Sequence, residues 1–452
     1  MSKKPHVLVV TYPAQGHVIP VLEFSQWLVR LGVRVTFVNT EFSHKKIINF
    51  MSDSDKFEDL TMVTIPDGLE PGDDRKDLGK NTEALYRVPP GELESLILKI
   101  NGRDEDKIAC VIADAPMAWA LEVAEKLGIR RAAFWTAPAA VLALSFHIPK
   151  LISDGIVDTN GKMLKNETIQ LSSTMPRMNS GDFIWASIGD EPTQTIFFHS
   201  LIRNNAQLQS VDYVIINSSH DLEPASFSLI PNSLSVGPLL ASNRLGKTVG
   251  YFWPEDSACL AWLDQQPTNS VIYVSFGTST ELDQSQFEEL ALGLELTNKP
   301  FLWVVREDIS TAKMYPEGFK VRVRDRGVMV SWAPQQQVLS HPSVACFVSH
   351  CGWNSTIEGV SCGVPFICCP YYADQMLNQT YICDEWKVGL GLSKDESGIM
   401  RKQEIKGKLE GLLSDGGFKE RALDLRAKVM KSVKEGLSYE NLNKLVEWIK
   451  DN

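Results

Sequence analysis

The sequence predicts an α/β protein made of two doubly wound domains. Two stretches open with the same succession of an apolar run, a short loop and a helical pattern, the first over residues 6–31 and the second over residues 271–296. A continuous apolar run is typical of a parallel strand that is buried on both faces. A chain of 452 residues is also too long for one ordinary core. We therefore expect two halves that face each other across a cleft, with ligands bound at the carboxyl ends of the strands.

The first half begins with a predicted strand over His6–Tyr12 and a loop over Pro13–His17. A helix is predicted over Val21–Leu31, with Pro20 in its first turn. Residues 151–210 are polar and rich in Gly, Asn and Ser in places, and we expect them to be irregular.

Composition and pattern also suggest where the domains end. The first domain is predicted over residues 1–240, and a linker over residues 241–253 follows Gly237-Pro238. The second domain is predicted over residues 254–435. Residues 436–452 are predicted to form a C-terminal helix with an apolar stripe. An ordinary amphipathic surface helix would show the same stripe.

The overall charge excludes several classes of partner. The chain carries 45 Lys and Arg against 56 Asp and Glu, and its net charge of −11 argues against nucleic acid and anionic membranes. Its 8 cysteines form no CxxC pair and no zinc-type spacing, which favours reduced thiols. The apolar runs at the N-terminus and around residues 132–146 are too short or too interrupted for a signal peptide or a membrane span. We expect a cytoplasmic monomer.

The most informative stretch covers residues 332–375. A β-rich apolar run ends at Ser349 and is followed by His350, Gly352 and a helical pattern that starts at Trp353. A strand, a glycine-containing turn and a helix N-terminus together offer backbone N–H groups and a positive dipole end to a phosphate. The stretch contains no Lys and no Arg. We therefore expect backbone amides, His350 and neutral donors to hold an anion here without a cation.

The same stretch resembles the C-terminal signature box of the plant family 1 UDP-sugar-dependent glycosyltransferases, a far more specific signal than a short glycine-rich motif. The matching positions extend over the whole box: Trp332, Pro334, Gln335, His341, Pro342, His350, Gly352, Trp353, Asn354, Ser355, Glu358, Gly359, Pro365, Pro370, Asp374 and Gln375. The resemblance implies the GT-B fold, with two Rossmann-like domains. It also implies an acceptor-binding first domain, a UDP-sugar-binding second domain and a last helix that packs back toward the first domain.

The resemblance further implies a role for each position of a UDP-sugar site. Uracil would stack on Trp332, Ala333 and Gln335 would contact base and ribose, and Glu358 would bind the ribose hydroxyls. The diphosphate would lie against two loops and a helix start, which comprise Gly277, Thr278, Ser279, Thr280, His350, Gly352, Asn354 and Ser355. The sugar hydroxyls would be contacted by Trp353, Asp374, Gln375 and Thr136. In this family glutamine at the last position of the box is associated with glucose, so UDP-glucose is the expected co-substrate.

Sugar transfer to a hydroxyl also needs a base. His17 follows the first strand in a loop that would face the cleft, and an imidazole can take a hydroxyl proton near neutral pH. Asp114 follows the strand Ile108–Ala113, where its carboxylate could orient an imidazole or could instead cap a helix before Pro116. In the resembled family a histidine and an aspartate in matching contexts, here PAQGHVIP and CVIADAP, form a catalytic dyad. The implied reaction is direct displacement of UDP with inversion, which yields a β-glucoside.

No cofactor and no metal are expected. The signature stretch lacks a carboxylate cluster with metal-ligand spacing. Two Asp-x-Asp strings, Asp53–Asp55 and Asp104–Asp106, match a pattern that metal-dependent transferases use. Both lie in polar stretches away from the signature, and we interpret them as solvated loops.

The acceptor is expected to be a small, largely apolar plant metabolite. Aromatic or apolar candidates for its pocket are Tyr86, Met117, Trp119, Phe146, Trp185, Phe197 and Tyr372, although such residues more often belong to a core. A flavonoid or another phenolic such as a phenylpropanoid fits, and so does a terpenoid or a hormone.

Two other functions share the expected fold. A nucleotide-sugar epimerase or hydrolase would keep the donor site but would not need His17 and Asp114. A non-catalytic UDP-sugar-binding protein would bind the nucleotide without transferring sugar. A nicotinamide-dependent dehydrogenase is disfavoured, because the first strand is followed by TYPAQGH rather than GxGxxG.

Overall fold

The structure is a computed structural model that describes residues 4–49, 58–103, 106–240, 256–307 and 314–451. The chain divides into two compact units. Unit 1 comprises Met1–Phe252 together with Lys431–Asn452, and unit 2 comprises Trp253–Met430. The C-terminal part of unit 1 thus starts slightly before the predicted residue 436. The predicted linker over residues 241–253 lies outside the described residues.

Unit 1 is built on a seven-stranded parallel sheet. In chain order its strands, with the separate antiparallel pair β6 and β7, are β1 His6–Val10, β2 Arg34–Thr40, β3 Leu60–Ile65, β4 Ile108–Asp114, β5 Arg130–Trp135, β6 Thr168–Ile169, β7 Met178–Asn179, β8 Tyr213–Ile216 and β9 Ser233–Ser235. The order across the main sheet is β3-β2-β1-β4-β5-β8-β9. The residues of β1 are buried throughout, as expected for a central parallel strand.

Helices cover the strands of unit 1. They are α1 Gln15–Arg30, α2 Glu41–Ile48, α3 Leu78–Arg87, α4 Pro89–Asn101, α5 Trp119–Lys126, α6 Ala139–Phe146, α7 Ile148–Ser153, α8 Glu191–Leu208 and α9 Pro224–Phe227, with short 3₁₀ turns at Ala115–Met117 and Ser180–Asp182. The expectation that residues 151–210 are irregular is wrong for α8. Asp190 caps this helix by accepting a hydrogen bond from the Thr193 N–H. The buried face of α8 includes the polar residues Asn204 and Asn205, so the sequence shows no continuous apolar stripe.

Unit 2 contains a six-stranded parallel sheet. Its strands are β10 Val271–Ser275, β11 Phe301–Val304, β12 Gly327–Val330, β13 Val344–Ser349, β14 Phe366–Cys368 and β15 Gly389–Gly391, in the order β12-β11-β10-β13-β14-β15. The remaining helices of the chain are α10 Ala258–Leu263, α11 Gln284–Leu296, α12 Phe319–Val323, α13 Gln335–Ser340, α14 Trp353–Cys362, α15 Gln375–Thr380, α16 Lys402–Ser414, α17 Gly416–Glu435 and α18 Leu437–Lys450, with a π-helical turn at Tyr381–Glu385. None of the helices described is long and apolar enough to span a membrane.

The two sheets share one topological feature. In each, the first strand lies between the second strand and a strand that comes later in the chain: β1 lies between β2 and β4, and β10 lies between β11 and β13. The chain leaves β1 and β4 toward opposite sides of the first sheet, and it leaves β10 and β13 toward opposite sides of the second. A crevice opens at the carboxyl ends of two neighbouring strands whose connections diverge in this way. The prediction of two doubly wound, Rossmann-like domains is confirmed.

The start of α1 differs from the sequence-based expectation. The helix begins at Gln15, so His17 lies in its first turn and not in a loop, and Pro20 lies inside the helix. Gly16 and Pro20 are poor helix residues. The helix forms nevertheless because Val18 and Val21 are fully buried on its inner face, so packing overrides local propensity.

Candidate active site

In unit 1, His17 and Asp114 form a hydrogen-bonded pair. The Nδ1 atom of His17 lies 2.8 Å from Oδ2 of Asp114. The same oxygen accepts a hydrogen bond of 3.1 Å from the backbone N–H of Tyr12. Asp114 is fully buried, whereas 29% of the His17 side chain is exposed. The imidazole is therefore anchored on one side and accessible on the other.

The parallel sheet explains why these residues meet. Strands β1 and β4 are neighbours, with Val10 paired to Ala113, so both strands end at the same edge of the sheet. Asp114 is the last residue of β4, and His17 returns to the same edge from the first turn of α1. The Asp114 side chain makes no capping hydrogen bond to the turn that follows it, so the alternative role as a helix cap is not adopted.

This pairing defines the tautomer of the neutral imidazole. A buried carboxylate only accepts hydrogen bonds, so Nδ1 must carry the proton and donate it to Asp114. The lone pair then resides on Nε2. Thr136 follows the neighbouring strand β5, and its Oγ1 lies 3.1 Å from the same Nδ1. The arrangement provides an oriented base with a carboxylate behind it.

Tyr12 also belongs to this site, although the sequence analysis did not single it out. Its ring centroid lies 5.0 Å from that of His17, and its hydroxyl lies 3.4 Å from Nδ2 of Asn81. Burial raises the pKa of Tyr12 to about 12, and the negative charge of Asp114 acts in the same direction. The phenol is therefore neutral near pH 7. Its position as an aromatic residue at the carboxyl end of the predicted strand His6–Tyr12 is the signal that could have identified it.

In unit 2, a glycine loop follows β10. Gly277 adopts φ +66°, a conformation that favours glycine. The guanidinium of Arg306 donates from Nη1 to the carbonyl oxygens of Gly277 at 2.9 Å and Thr280 at 3.2 Å. A cation therefore lies beside this loop, although residues 332–375 themselves contain none. Arg306 lies outside that stretch and reaches the loop because β11 pairs with β10.

His350 lies beside this loop, directly after β13. A Cβ atom added at Gly277 would lie 2.8 Å from its Nε2, and one added at Gly352 would lie 2.5 Å from the same atom. Burial lowers the pKa of His350 to about 4, the charge of Arg306 lowers it further, and a hydrogen bond with the Ser275 backbone opposes both. His350 is thus a neutral imidazole near pH 7, enclosed by two glycines.

The helix α14 starts immediately after this histidine. Gly352 is its N-cap and makes no side-chain cap hydrogen bond. The first-turn N–H groups of a helix have no intrahelical acceptor, and the helix dipole places partial positive charge there. Because Gly352 and Gly277 have no side chains, the backbone can approach an anion closely at the start of α14 and at the beginning of the Gly277–Thr280 loop.

A network of amides surrounds Glu358, one turn into α14. The Nε2 atom of Gln335 donates to Ser355 Oγ at 2.9 Å and to Glu358 Oε2 at 2.7 Å. Its Oε1 accepts a 3.0 Å hydrogen bond from the Tyr273 hydroxyl. Gln336, which the sequence analysis missed, donates to Glu358 Oε1 at 3.1 Å. Both carboxylate oxygens of Glu358 are held in defined positions.

Asp374 and Gln375 are also held by hydrogen bonds. Oε1 of Gln375 accepts hydrogen bonds from the backbone N–H groups of Tyr371 at 2.8 Å and Tyr372 at 3.3 Å. Asn378 donates from Nδ2 to Asp374 Oδ2 and to the Cys351 carbonyl, both at 2.8 Å. The sequence analysis missed Asn378, although its spacing of four residues from Asp374 places both on one helix face.

The other predicted donor residues occupy the same unit. Trp332 follows β12, and its carbonyl accepts a 3.0 Å hydrogen bond from the Asp256 N–H. Ala333 and Trp353 are almost fully buried at 4% and 3% exposure, whereas Asn354 is partly exposed. Unit 2 therefore contains every predicted donor residue except Thr136, which lies beside His17 in unit 1.

The proposed acceptor residues fall into two groups. Met117, Trp119 and Trp185 are buried to 1% exposure or less, and Trp185 donates to the Gly161 carbonyl at 3.1 Å. The partly exposed members are Tyr86, Phe146, Phe197 and Tyr372. Tyr86 donates its hydroxyl proton to Oδ1 of Asn204. The acceptor role of all seven stays a prediction.

Among the residues that the structure describes, no cluster of three or more His, Cys, Asp or Glu side chains is placed to hold a metal ion. Of the two Asp-x-Asp strings only Asp106 is described, and it accepts a 2.6 Å hydrogen bond from Arg34 Nη1. Asp53–Asp55 and Asp104 lie outside the described residues.

Comparison with known proteins agrees with this architecture. A family model described as UDP-glucoronosyl and UDP-glucosyl transferase matches residues 15–450. UDP-glycosyltransferase 83A1 of Arabidopsis thaliana is 45% identical over 460 residues, covering 99% of this chain and 97% of that protein. 7-Deoxyloganetin glucosyltransferase of Catharanthus roseus is 31% identical over 482 residues, covering 99% of this chain and 97% of that protein.

A solved structure extends the similarity to three dimensions. Os79 from O. sativa, crystallised in complex with UDP, matches with a TM-score of 0.83 at 27% identity, covering 98% of this chain and 100% of that chain. The GT-B architecture implied by the signature box is thereby confirmed. Since the family model and the Arabidopsis relative each cover nearly the whole sequence, this chain belongs to family 1 of the plant UDP-glycosyltransferases.

Proposed function

We propose that the protein is an inverting UDP-glucose-dependent O-glucosyltransferase in which His17 is the general base. The observation that carries this proposal is the 2.8 Å hydrogen bond between His17 Nδ1 and the buried Asp114. In a partly exposed imidazole whose Nδ1 proton is held by a carboxylate, Nε2 is the basic atom that can take a hydroxyl proton.

The chemical step is a single displacement. The acceptor oxygen forms a bond to C1 of the glucose, and the bond from C1 to the β-phosphate oxygen breaks with its electron pair leaving on UDP. The hydroxyl proton passes to Nε2 of His17, and Asp114 stabilises the imidazolium that forms. Attack opposite the leaving group converts the α-linked donor into a β-glucoside.

The donor would lie in unit 2 along the residues described above. The Gly277–Thr280 loop, the start of α14 and neutral His350 would hold the diphosphate, where backbone N–H groups stabilise the charge that develops on UDP. Trp332 would stack on uracil, with Ala333 beside the base. Glu358 would accept hydrogen bonds from the ribose hydroxyls, in the orientation that its amide neighbours impose.

Glucose is the proposed sugar. Asp374 and Gln375 are held in place by Asn378 and by the backbone of residues 371–372, which prearranges them for sugar hydroxyls. Trp353 would contribute a further contact, and Thr136 another from unit 1. The C. roseus relative is by its name a glucosyltransferase, which supports this choice.

The acceptor is proposed as a small, largely apolar alcohol or phenol. A flavonoid or another phenolic remains our first expectation, and an acceptor of the terpenoid or hormone type is the alternative. The name of the C. roseus relative, which specifies 7-deoxyloganetin, supports keeping the second class. We also propose that the enzyme acts as a cytoplasmic monomer without a metal ion.

The test is incubation with UDP-glucose and a panel of phenols, flavonoids and terpenoids, with and without EDTA, followed by NMR of the products. We expect β-glucosides in equal yield in both conditions. An α-glucoside would refute inversion, and loss of activity with EDTA would refute metal independence. UDP-sugar interconversion without any glucoside would instead indicate an epimerase.

A further inference from the structure

We propose that Arg306 is a positioning residue for the donor diphosphate: it holds the Gly277–Thr280 loop with peptide N–H groups turned outward and adds a positive charge behind the loop. This inference rests on the proposed binding of UDP-glucose at that loop. It assigns a role to a residue outside the signature stretch, which contains no cation of its own.

The hydrogen bonds of Arg306 constrain the orientation of two peptide planes. Its Nη1 donates to the carbonyl oxygen of Gly277 at 2.9 Å and to that of Thr280 at 3.2 Å. In a trans peptide the carbonyl and the following N–H point in opposite directions. The N–H groups of Thr278 and Glu281 therefore point away from the guanidinium.

The loop also offers backbone donors to a ligand. Within the described ranges, the backbone N–H groups of Thr278 and Ser279 have no hydrogen-bond partner in the protein. Ser279 is exposed and Thr278 is partly exposed. Successive backbone N–H groups of this kind form a concavity that suits phosphate oxygens.

The loop is also prevented from moving away from this arrangement. Gly277 adopts φ +66°, and its Cα lies so close to the His350 ring that an added Cβ would be 2.8 Å from Nε2. The loop is thus bounded by the imidazole at Gly277 and by the guanidinium at its carbonyl oxygens. This rigidity favours a ligand that fits the preset N–H groups.

Arg306 is a permanent charge in a sheltered position. Only 4% of its surface is exposed, and a guanidinium stays protonated at any physiological pH. The neighbouring His350 is neutral near pH 7, because burial lowers its pKa to about 4. A charge shielded from water acts more strongly on a nearby anion than an exposed one.

The experiment is calorimetric measurement of UDP and uridine binding to the wild type, Arg306→Met, Arg306→Lys and Arg322→Met. Arg322 is the matched control, because it also donates to a backbone carbonyl, that of Glu317, but pairs with Glu295 rather than contacting the loop. We expect Arg306→Met to weaken UDP binding about 30-fold and to leave uridine binding unchanged. Arg306→Lys keeps the positive charge but lacks the planar guanidinium, so its UDP affinity should lie between those of the wild type and Arg306→Met.

Salt dependence provides a second measurement. UDP binding to the wild type should weaken as ionic strength rises, and this dependence should be smaller in Arg306→Met and unaltered in Arg322→Met.

Two results would overturn the inference. A purely structural role of Arg306 predicts that Arg306→Met loses UDP affinity and uridine affinity equally, and unchanged UDP binding in Arg306→Met would exclude any role. If Arg306→Met does not fold, Arg306→Lys decides by the same ratio of UDP to uridine affinity. If the wild type does not bind UDP, the proposed donor site itself is wrong. If the wild type binds UDP but Arg306→Met binds it equally well, only the role of Arg306 is wrong.

Discussion

Equivalent positions in the two sheets carry different ionisable side chains, an aspartate in unit 1 and a histidine in unit 2. In unit 1, β1 pairs with β4 up to Val10 and Ala113, and the next residue of β4 is Asp114. In unit 2, β10 pairs with β13 up to Ser275 and Ser349, and the next residue of the chain is His350. Asp114 is a buried acceptor that holds a second side chain, His17, whereas His350 is a neutral ring enclosed by the backbone of two glycines.

Under the proposed function, one topology supports two modes of action. The crevice of unit 1 presents a side-chain base, and its strength depends on a single carboxylate behind the imidazole. The crevice of unit 2 presents mainly backbone N–H groups, with Arg306 behind the loop, and its fit depends on glycines that let the backbone approach a ligand. We therefore expect substitutions in unit 1 to affect the chemical step and those in unit 2 to affect nucleotide binding.

The largest expected effect is at His17. His17→Ala should lower kcat for glucoside formation by about 1000-fold, because it removes the group that we propose takes the acceptor proton. UDP affinity, measured by calorimetry, should stay unchanged since the proposed UDP contacts belong to unit 2. His199→Ala is the matched control, an exposed histidine of the same unit that contacts Asn160. Unchanged glucoside yield in His17→Ala would refute the base assignment.

A smaller loss is expected for Asp114→Asn. The asparagine amide can donate to Nδ1 of His17 and so favour the tautomer whose Nε2 carries the proton. It also lacks the negative charge that stabilises the imidazolium. For both reasons kcat should fall about 100-fold. The pH profile of kcat should change along with its magnitude, which is measured by initial rates across pH 5 to 9. A lower melting temperature with unchanged kcat would favour a merely structural role for this carboxylate.

In unit 2, Gly352→Ala tests whether the backbone must approach the ligand closely. The new Cβ would lie 2.5 Å from Nε2 of His350, so the ring or the helix start must shift. Overpacking of this kind should weaken UDP binding about tenfold in calorimetry. Gly407→Ala is the matched control, because its Cβ would meet no atom within 4 Å. That control should leave UDP binding unchanged and raise the free energy of unfolding by about 0.5 kcal/mol. Equal effects of the two substitutions would contradict the close-approach interpretation.

The smallest effect is expected for Thr136→Val, which removes a hydroxyl without changing the size of the side chain. Asp114 retains its 2.8 Å hydrogen bond to His17, so kcat should fall only about threefold. Steady-state kinetics distinguishes the two roles suggested for Thr136. A change in kcat alone indicates support of His17, whereas a higher KM for UDP-glucose indicates contact with the sugar.

Local patterns in the sequence were sufficient to predict the two doubly wound domains and the strand Ile108–Ala113, which in the structure ends one residue later at Asp114. Buried parallel strands are continuous apolar runs, and those runs are visible without knowledge of their neighbours. The signature box was equally visible because its residues are contiguous in the chain. The start of α1 and the helix α8 were missed, since burial of one face outweighed the polar residues, Gly16 and Pro20 in their sequences.

Other features depended on tertiary structure alone. Arg306 meets the Gly277 loop because β11 pairs with β10, and Tyr12 meets Asp114 because β1 pairs with β4. Asn378 and Gln336 acquire their roles only from the acceptors that surround them. A residue type and its local pattern determine which strand or helix forms. The contacts between residues distant in sequence are set by strand order and register, which no single stretch of the chain encodes.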